Sequence, residues 1–517
     1  MNKLFPICFL TVVSLFPSGY SQSAGDQFFG QWLHEIRITF SLPQWKDSLA
    51  YYENINDTAS EQIYLKADLL LDGVAYSEVG IKYKGNSSYN INSDKKSFKI
   101  SFDEFVNGQK PDGLKKINLN NGFKDATFLR EKFMLDFLNS EGLPAPRCVY
   151  ANLYINNQHY GLYTVVEEVD DAPFLLRVFG NKAGNLFKGD PNGKLTWKGS
   201  NPQAYYADYE LHTNEDENDW SDLITFIDIL NNTSSTSLAS ALSGVLNIET
   251  YLGHRAANLL FVNLDSYDGS GHNYYIYNHQ GRFEWMAWDV NEAFGNFNMG
   301  MPLDVLECLS IFYIPAPHSS RPLPFRLFAL GDVFSSYYAF LLSNWLQKWP
   351  PQKFNAWVDS MAALIRPHVY ADPMKFYSNA QFESGLSQNT TLPGLGFPGN
   401  FQSPGLKSFY ANRWYCIRDE IQNLPYWSAD SPALMAEVII FPNPTPGFAF
   451  LRCKISGDIE WTLLNMEGKK VLTTRATVQT GDLCFLDLCQ VPRGLYYLTV
   501  VDRGTGKFLG SKRIVRI

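Results

Sequence analysis

Between residues 30 and 425 the sequence has no internal repeat and no clear linker, and its pattern changes once. The first half alternates with the period of a strand. Ile36-Arg-Ile-Thr-Phe40, Val79-Gly-Ile-Lys-Tyr-Lys84 and Ser97-Phe-Lys-Ile-Ser-Phe102 each place apolar side chains on one face. Residues 64–73 read as a strand running into a turn. Residues 149–155, Asn156-Asn157 and 160–166 read as a hairpin. One helix is expected inside this half, carrying Phe128, Leu129, Phe133, Leu135, Phe137 and Leu138. Asp125 or Thr127 can cap it, and Gly142-Leu-Pro144 stops it. Beyond about residue 215 the period turns helical, at Leu223, Phe226, Ile227 and Leu230, across 251–261 and across 321–366. Two strands, 274–277 and 283–288, interrupt it. Strands followed by helices within one uninterrupted module give the α+β class, and two lobes around a cleft are compatible with it.

The ends of the chain read differently. Lys3 followed by the apolar run 4–16 and by Ser18, Gly19 and Ser21 has the form of a secretory signal over 1–22. That run is too short to span a bilayer, and no other stretch approaches a transmembrane segment. Six of the seven cysteines lie beyond the signal, an even number that permits disulfides in an exported chain but leaves 15 pairings open. Residues 426–435 read as a linker. After it come short strand-like runs at 438–441, 450–451, 459–464, 483–488 and 495–501, separated by Pro, Gly, Asn and Asp, as in a small antiparallel β-sandwich over 436–517. Phe441-Pro-Asn-Pro444, Met466-Glu-Gly-Lys-Lys470 and Arg493-Gly-Leu-Tyr-Tyr497 make this part similar to the C-terminal sorting domain of the Bacteroidetes type IX secretion system. The resemblance implies the type IX machinery as a partner, passage through the periplasm, and a final place outside the cell or on the outer-membrane surface.

Two constellations carry chemistry. In the first, Asn263-Leu-Asp265, Gly271-His-Asn273 and Trp288-Asp289-Val-Asn set two carboxylates and an Asn around two strands. Ionised carboxylates at about 4 Å repel by about 4 kcal/mol at an effective dielectric of 20, so such a group calls for a cation or a proton. Mg²⁺ or Mn²⁺ takes hard oxygen ligands of this kind. In the second, Lys82 and Lys84 end one strand, Gly85-Asn-Ser-Ser88 follows, and Asp94-Lys-Lys96-Ser-Phe-Lys99 opens the next. A small-polar loop between basic strands suits a polyphosphate, although GxxxxGK[ST] and GxGxxG are both absent. Eight His without HExxH give a zinc hydrolase no support. His254, inside a helical run, reads as a packed residue. A net charge of -9, from 43 Lys+Arg against 52 Asp+Glu, argues against a nucleic-acid partner.

The central module resembles the CotH family, described as atypical, secretory-pathway-like protein kinases. The ordered motifs are Gly85-Asn-Ser-Ser, Lys95-Lys-Ser-Phe-Lys, Leu129-Arg-Glu131, Gly161-Leu-Tyr-Thr-Val-Val-Glu-Glu168, Asn185-Leu-Phe-Lys188, Tyr209-Glu210, Asn263-Leu-Asp265, His272-Asn-Tyr-Tyr, Trp288-Asp-Val-Asn and Pro404-Gly-Leu-Lys-Ser-Phe409. The resemblance implies a divergent two-lobed kinase-like domain over 23–425 that uses ATP with Mg²⁺ or Mn²⁺ on protein Ser/Thr. By the same resemblance Asp265 orients the acceptor, and Asp289 and Asn273 hold the metal. Lys96 contacts phosphate, with Lys84 and Lys99 as rivals, and Glu131 pairs with that lysine. Asn86 and Ser87 belong to the phosphate loop. Glu167 and Glu168 belong to a connecting segment that meets the nucleotide. The alternative is a catalytically silent surface binding protein or adhesin on the same fold.

Overall fold

The structure, a computed structural model, describes residues 23–56, 62–330, 332–396 and 398–424. It also describes 439–516, except for 442–444, 446, 453–455, 466–468, 480–481 and 505–507. The expected signal at 1–22 and linker at 426–435 lie outside these residues, as do most of the 441–444 and 466–470 motifs.

Seven strands close into a barrel: β1 (Leu33–Thr39), β2 (Leu65–Leu71), β3 (Val74–Lys84), β4 (Ser97–Ser101), β5 (Lys116–Asn120), β6 (Cys148–Ile155) and β7 (Gln158–Glu167). Their order is β1-β2-β3-β4-β5-β7-β6. Every pairing is antiparallel except the closure, where β1 runs parallel to β6 from Leu33↔Tyr150 to Ile38↔Ile155. Alternation builds the interior: Leu65, Ala67, Leu69 and Leu71 of β2 are buried while the residues between them are exposed. Phe98, Ile100, Leu119, Val149, Leu153 and Val165 fill the same core. Asp72-Gly73 and Asn156-Asn157 make the tight turns, all four at positive φ, as two-residue hairpins require. Helix α1 (Asp26–Gly30) precedes β1, and α2 (Trp45–Asn56) lies between β1 and β2.

Helix α3 (Arg130–Ser140) starts later than its apolar spacing predicts. Phe128 stands in left-handed backbone at φ 57, and its ring packs over Gly122. Asp125 still caps the helix from a distance, its Oδ2 accepting from the Arg130 amide at 3.0 Å. Helix α4 (Ala172–Phe179) follows β7. A four-stranded sheet comes next, β8 (Leu186–Gly189), β9 (Tyr209–Leu211), β10 (Tyr274–His279) and β11 (Arg282–Ala287), in the order β11-β10-β8-β9.

The helical half comprises α5 (Ser221–Asn232), α6 (Ser235–Ser243), α7 (Ile248–Leu260), α8 (Leu303–Glu307), α9 (Pro322–Phe328), α10 (Asp332–Lys348), α11 (Pro351–Ala371), α12 (Asn379–Gly385) and α13 (Leu406–Gln422), with a small pair β12 (Thr390–Pro393) and β13 (Asn400–Ser403). Phe133 and Phe137 of α3 pack edge-to-face on Phe261, so α3 joins the helical core rather than the barrel interior. His254 is buried in α7, and burial pushes its imidazole down to about 3. Of the cysteines, Cys308 after α8 and Cys416 in α13 form a disulfide across 108 residues.

Buried charges tie the two halves together. Lys95 pairs with Asp372 at the end of α11 and donates to the Leu162 carbonyl at 3.0 Å. Asp372 also accepts from the Leu162 amide at 3.0 Å. Gly161 has φ +102, and a Cβ on it would stand 2.0 Å from the Asp372 carboxyl carbon. Only glycine leaves room for this ion pair.

The C-terminal region forms two antiparallel sheets. β14 (Ile439–Phe441), β15 (Phe448–Arg452) and β18 (Leu483–Asp487) make one. β16 (Gly457–Leu464), β17 (Lys470–Val478), β19 (Gly494–Asp502) and β20 (Phe508–Arg516) make the other. Leu451, Trp461, Leu463, Leu486, Leu498 and Val500 form their common core. The strands that sequence alternation misses, β17 and β20, are the two edges of the larger sheet. Edges carry polar and charged residues, which dilutes a hydrophobic signal. Among the described residues no helix is long and apolar enough to cross a membrane.

Candidate active site

The polar edge of the barrel meets the helical half at the ends of β3 and β5. Lys84 closes β3, and its ammonium donates to Asn120 Oδ1 at 2.9 Å. Asn120 Nδ2 in turn donates to both oxygens of Glu131 on α3, at 2.9 and 3.0 Å. A lysine from the barrel and a glutamate from the first long helix are thus linked through one amide. Burial lowers the Lys84 pKa, while Asp289, Glu168 and Glu131 pull the other way. Burial first, and then Asp289, push Glu131 up to about 7. The Lys84 ammonium also lies 5.3 Å from the Trp288 ring centre, which places β3 directly against the segment that carries Asp289.

Asp289 follows β11 at φ 52, a strained position for a non-glycine residue. Protein surrounds it, yet the residue keeps an open face to solvent. Restricted hydration raises its pKa, Lys84 opposes the rise, and Asp265 reinforces it. Asp265 lies just beyond α7. Its Oδ1 is 2.8 Å from His272 Nε2 and accepts from Ser270 Oγ at 3.1 Å. Its Oδ2 accepts from Asn273 Nδ2 at 3.2 Å. Asn273, at φ 58, also donates to the Asp265 carbonyl at 3.1 Å. Burial disfavours a charged His272, but Asp190 and Asp265 outweigh it and push the imidazole up to about 9.

A third carboxylate, Glu292, sits behind Asp289. Lys124 donates to its Oε1 at 2.8 Å, while its Oε2 is buried without a partner. Burial, with Asp265 and Asp289 nearby, pushes Glu292 up to about 7. The segment is clamped to the start of α3. Asn291 donates to the Phe123 carbonyl at 3.1 Å, Asn296 to the Lys124 carbonyl at 3.0 Å, and Arg130 to the Ala293 carbonyl at 2.9 Å.

The sequence-predicted residues divide into those that this junction gathers and those that it does not. Asp265, Asn273, Asp289, Glu131 and Lys84 belong to it. The expected link between Lys96 and Glu131 is not made. Lys96 instead donates to the Tyr89 and Ile91 carbonyls at 2.5 and 2.6 Å, bracing its own loop. Lys84, the rival, is instead the lysine that Asn120 links to Glu131; it ends β3 opposite Ser97 of β4, and its side chain reaches past that strand to Asn120 of β5. Lys99 pairs with Glu168 at 2.5 Å and Asp170 at 3.8 Å. Burial disfavours its charge, but these two carboxylates outweigh that and raise its pKa. Glu168 also accepts from Asn118 Nδ2 at 3.1 Å. Glu167 points elsewhere: Arg147 and Arg177 close on it at 2.7 and 2.6 Å, pinning α4 and the chain near Asp26. Asn86 and Ser87 are exposed in the turn after β3, where the Tyr89 and Asn90 amides donate to the Asn86 carbonyl.

Sequence reasoning left Asn120, His272, Lys124, Lys188, Asp190 and Glu292 without roles. Asn120 was within reach, since Asn118 and Asn120 alternate onto one face of β5. His272 adjoins Asn273, and Glu292 follows the Asp289 motif.

Among the described residues, no group of three His, Cys, Asp or Glu side chains is gathered into a ready metal cage. Mg²⁺ is ordinarily held by one or two carboxylates plus phosphate oxygens, so a partial donor set is what a nucleotide-borne cation needs. An open Asp289, the Asn273 amide and the orphaned Glu292 Oε2 fit that requirement.

Comparison with known proteins bears on this geometry. Residues 81–391 match the family described as CotH kinase protein. Residues 439–515 match the family described as secretion system C-terminal sorting domain. The chain is 26% identical over 305 residues to the inner spore coat protein H of Bacillus subtilis (strain 168), covering 58% of this chain and 79% of that protein.

Proposed function

This chain belongs to the CotH kinase family, and on that premise we propose that it is an exported phosphotransferase. It moves the γ-phosphoryl group of ATP to Ser or Thr of surface or periplasmic proteins. The observation that carries this reading is the incomplete charge set of Lys84, Glu131, Asp289 and Glu292 beside a fully oriented Asp265. The domain is read as two-lobed and kinase-like, with the barrel as one lobe and the helical half as the other. The C-terminal region is read as a sandwich that addresses the chain to the type IX machinery, and 1–22 as its signal.

Lys84, held by Asn120, which Glu131 holds in turn, takes the place of the lysine that grips phosphate in kinases. Asp289 and Asn273 would hold Mg²⁺ or Mn²⁺, with Glu292 behind them. A bound divalent ion supplies neutralisation of the charge on the transferring group. Asp265 accepts a hydrogen bond from the acceptor hydroxyl and aims it; His272, Ser270 and Asn273 fix the direction of that carboxylate. Lys99, paired with Glu168 and Asp170, lines the nucleotide side.

The test is intact-mass and radiolabel transfer by the full chain with ATP and Mn²⁺ or Mg²⁺. Phosphate addition that Asp289→Asn abolishes supports the reading. Absence of nucleotide binding, with saturable binding to a glycan or host protein, returns the chain to the adhesin class. Addition of AMP rather than phosphate keeps the fold assignment and changes the group transferred.

A further inference from the structure

Two motifs of the central module, Asn185-Leu-Phe-Lys188 and Tyr209-Glu210, have no part in the chemistry just described. They fall on β8 and β9, which extend the β10–β11 hairpin into a four-stranded sheet. Lys188 sits opposite Glu210 on one side and Tyr275 on the other. Its Nζ is 2.6 Å from Asp190 Oδ2 and 3.5 Å from Glu210 Oε2.

From Lys188 charged groups of alternating sign run in two directions. Toward the acceptor side, Asp190 Oδ1 lies 3.8 Å from His272 Nδ1, and His272 Nε2 lies 2.8 Å from Asp265 Oδ1. Toward the nucleotide side, Glu210 Oε2 lies 3.0 Å from His212 Nε2, and His212 Nδ1 lies 3.3 Å from Asp170. Asp170 and Glu168 flank Lys99. The Lys188 side chain is only 17% exposed, so it is held in place, unlike a freely solvated surface lysine.

Asp265 depends on this row. One of its oxygens is held by His272 and Ser270, and among the described residues the imidazole has one further carboxylate partner, Asp190. Asp190 in turn is anchored by Lys188. Without the ammonium, Asp190 and Glu210 repel each other and Asp190 is free to rotate away from His272. We propose that Lys188 is a positioning residue for phosphoryl transfer: by anchoring Asp190 against His272, it fixes the Asp265 carboxylate. This inference rests on the phosphotransferase reading, and its test separates the two.

The experiment uses the full chain and compares wild type with Lys188→Met, Lys188→Arg, Asp190→Asn and the Lys188→Met/Asp190→Asn double variant. Turnover and Mn²⁺·ATP affinity are measured separately. A misplacement of about 1 Å costs roughly 10²-fold in rate, so kcat of Lys188→Met falls about 10- to 100-fold. Nucleotide affinity stays within about twofold, because the site's binding groups remain. Lys188→Arg recovers most of the rate. The double variant is no slower than the worse single variant, because both changes cut one link. Wild-type turnover in Lys188→Met, multiplicative losses, or equal losses of binding and turnover overturn the positioning role and leave the phosphotransferase reading standing. A wild-type chain that binds no nucleotide removes both.

Discussion

Lys95 and Lys84 leave the same part of the barrel and meet opposite fates. At the seam with α11, Lys95 is fully buried, and Asp372 and the Leu162 carbonyl complete its bonding. Arg413 closes a similar set with the Leu259 carbonyl at 2.7 Å. At the junction below β3, Lys84 reaches only an amide directly, Glu131 and Glu292 are pushed up to about 7, and Glu292 Oε2 has no partner. Buried charge is costly unless paired. The seam therefore holds charges completed by the chain, whereas the junction holds charges that a ligand can complete. Position relative to other charges, rather than burial alone, separates a lysine completed by the chain from one left open to a ligand.

The contrast is sharpest when one partner is removed from each region. Asp372→Ala strands Lys95 in the interior and should cost roughly 3–5 kcal/mol of unfolding free energy. Urea denaturation measures this, and the folded fraction should keep its activity. Asp289→Asn should do the reverse, leaving urea stability unchanged or higher while phosphate transfer falls roughly 10²- to 10³-fold. If Asp372→Ala left stability intact, or Asp289→Asn unfolded the chain, the distinction would fail.

A smaller effect separates two lysines that sequence reading could not rank. Lys84→Met should lower transfer about 10- to 100-fold, and Lys96→Met about twofold or less. The sequence showed two basic strand ends around a small-polar loop, and alternation assigned faces within each strand. It could not show which ammonium is linked to Glu131 through Asn120, since that depends on β5 lying between β4 and β7 and on where α3 begins. The same limit applies to Phe128, whose apolar spacing fitted a helix that Asp125 starts only at Arg130. The β1–β6 parallel closure leaves no local mark either, because alternation is the same for either strand direction. By contrast, the grouping of Asp265, Asn273 and Asp289 was legible because they flank a single hairpin, where local pattern and tertiary placement coincide.

The smallest expected effect is on pH dependence. Glu131 and Glu292 have folded pKa values of about 7, above the ordinary carboxyl value of 4.5. The folded chain therefore holds these protons more tightly than the unfolded chain does. Their contribution to stability is full below about pH 4.5 and is lost as pH rises through about 7. Without metal, urea midpoints should decline between pH 5.5 and 7.5. Glu292→Gln should remove part of that decline, whereas a slope unchanged by Glu292→Gln would mean that Glu292 carries no such proton.

The most direct measurement is calorimetric titration of Mn²⁺·ATP into the full chain at pH 6.5, in two buffers of different ionisation enthalpy. Saturable binding with release of protons from the carboxylate cluster is predicted, with the release reduced in Glu292→Gln and binding weakened in Asp289→Asn. No binding, or binding indifferent to both substitutions, would contradict the claim that this junction is a site awaiting its ligand.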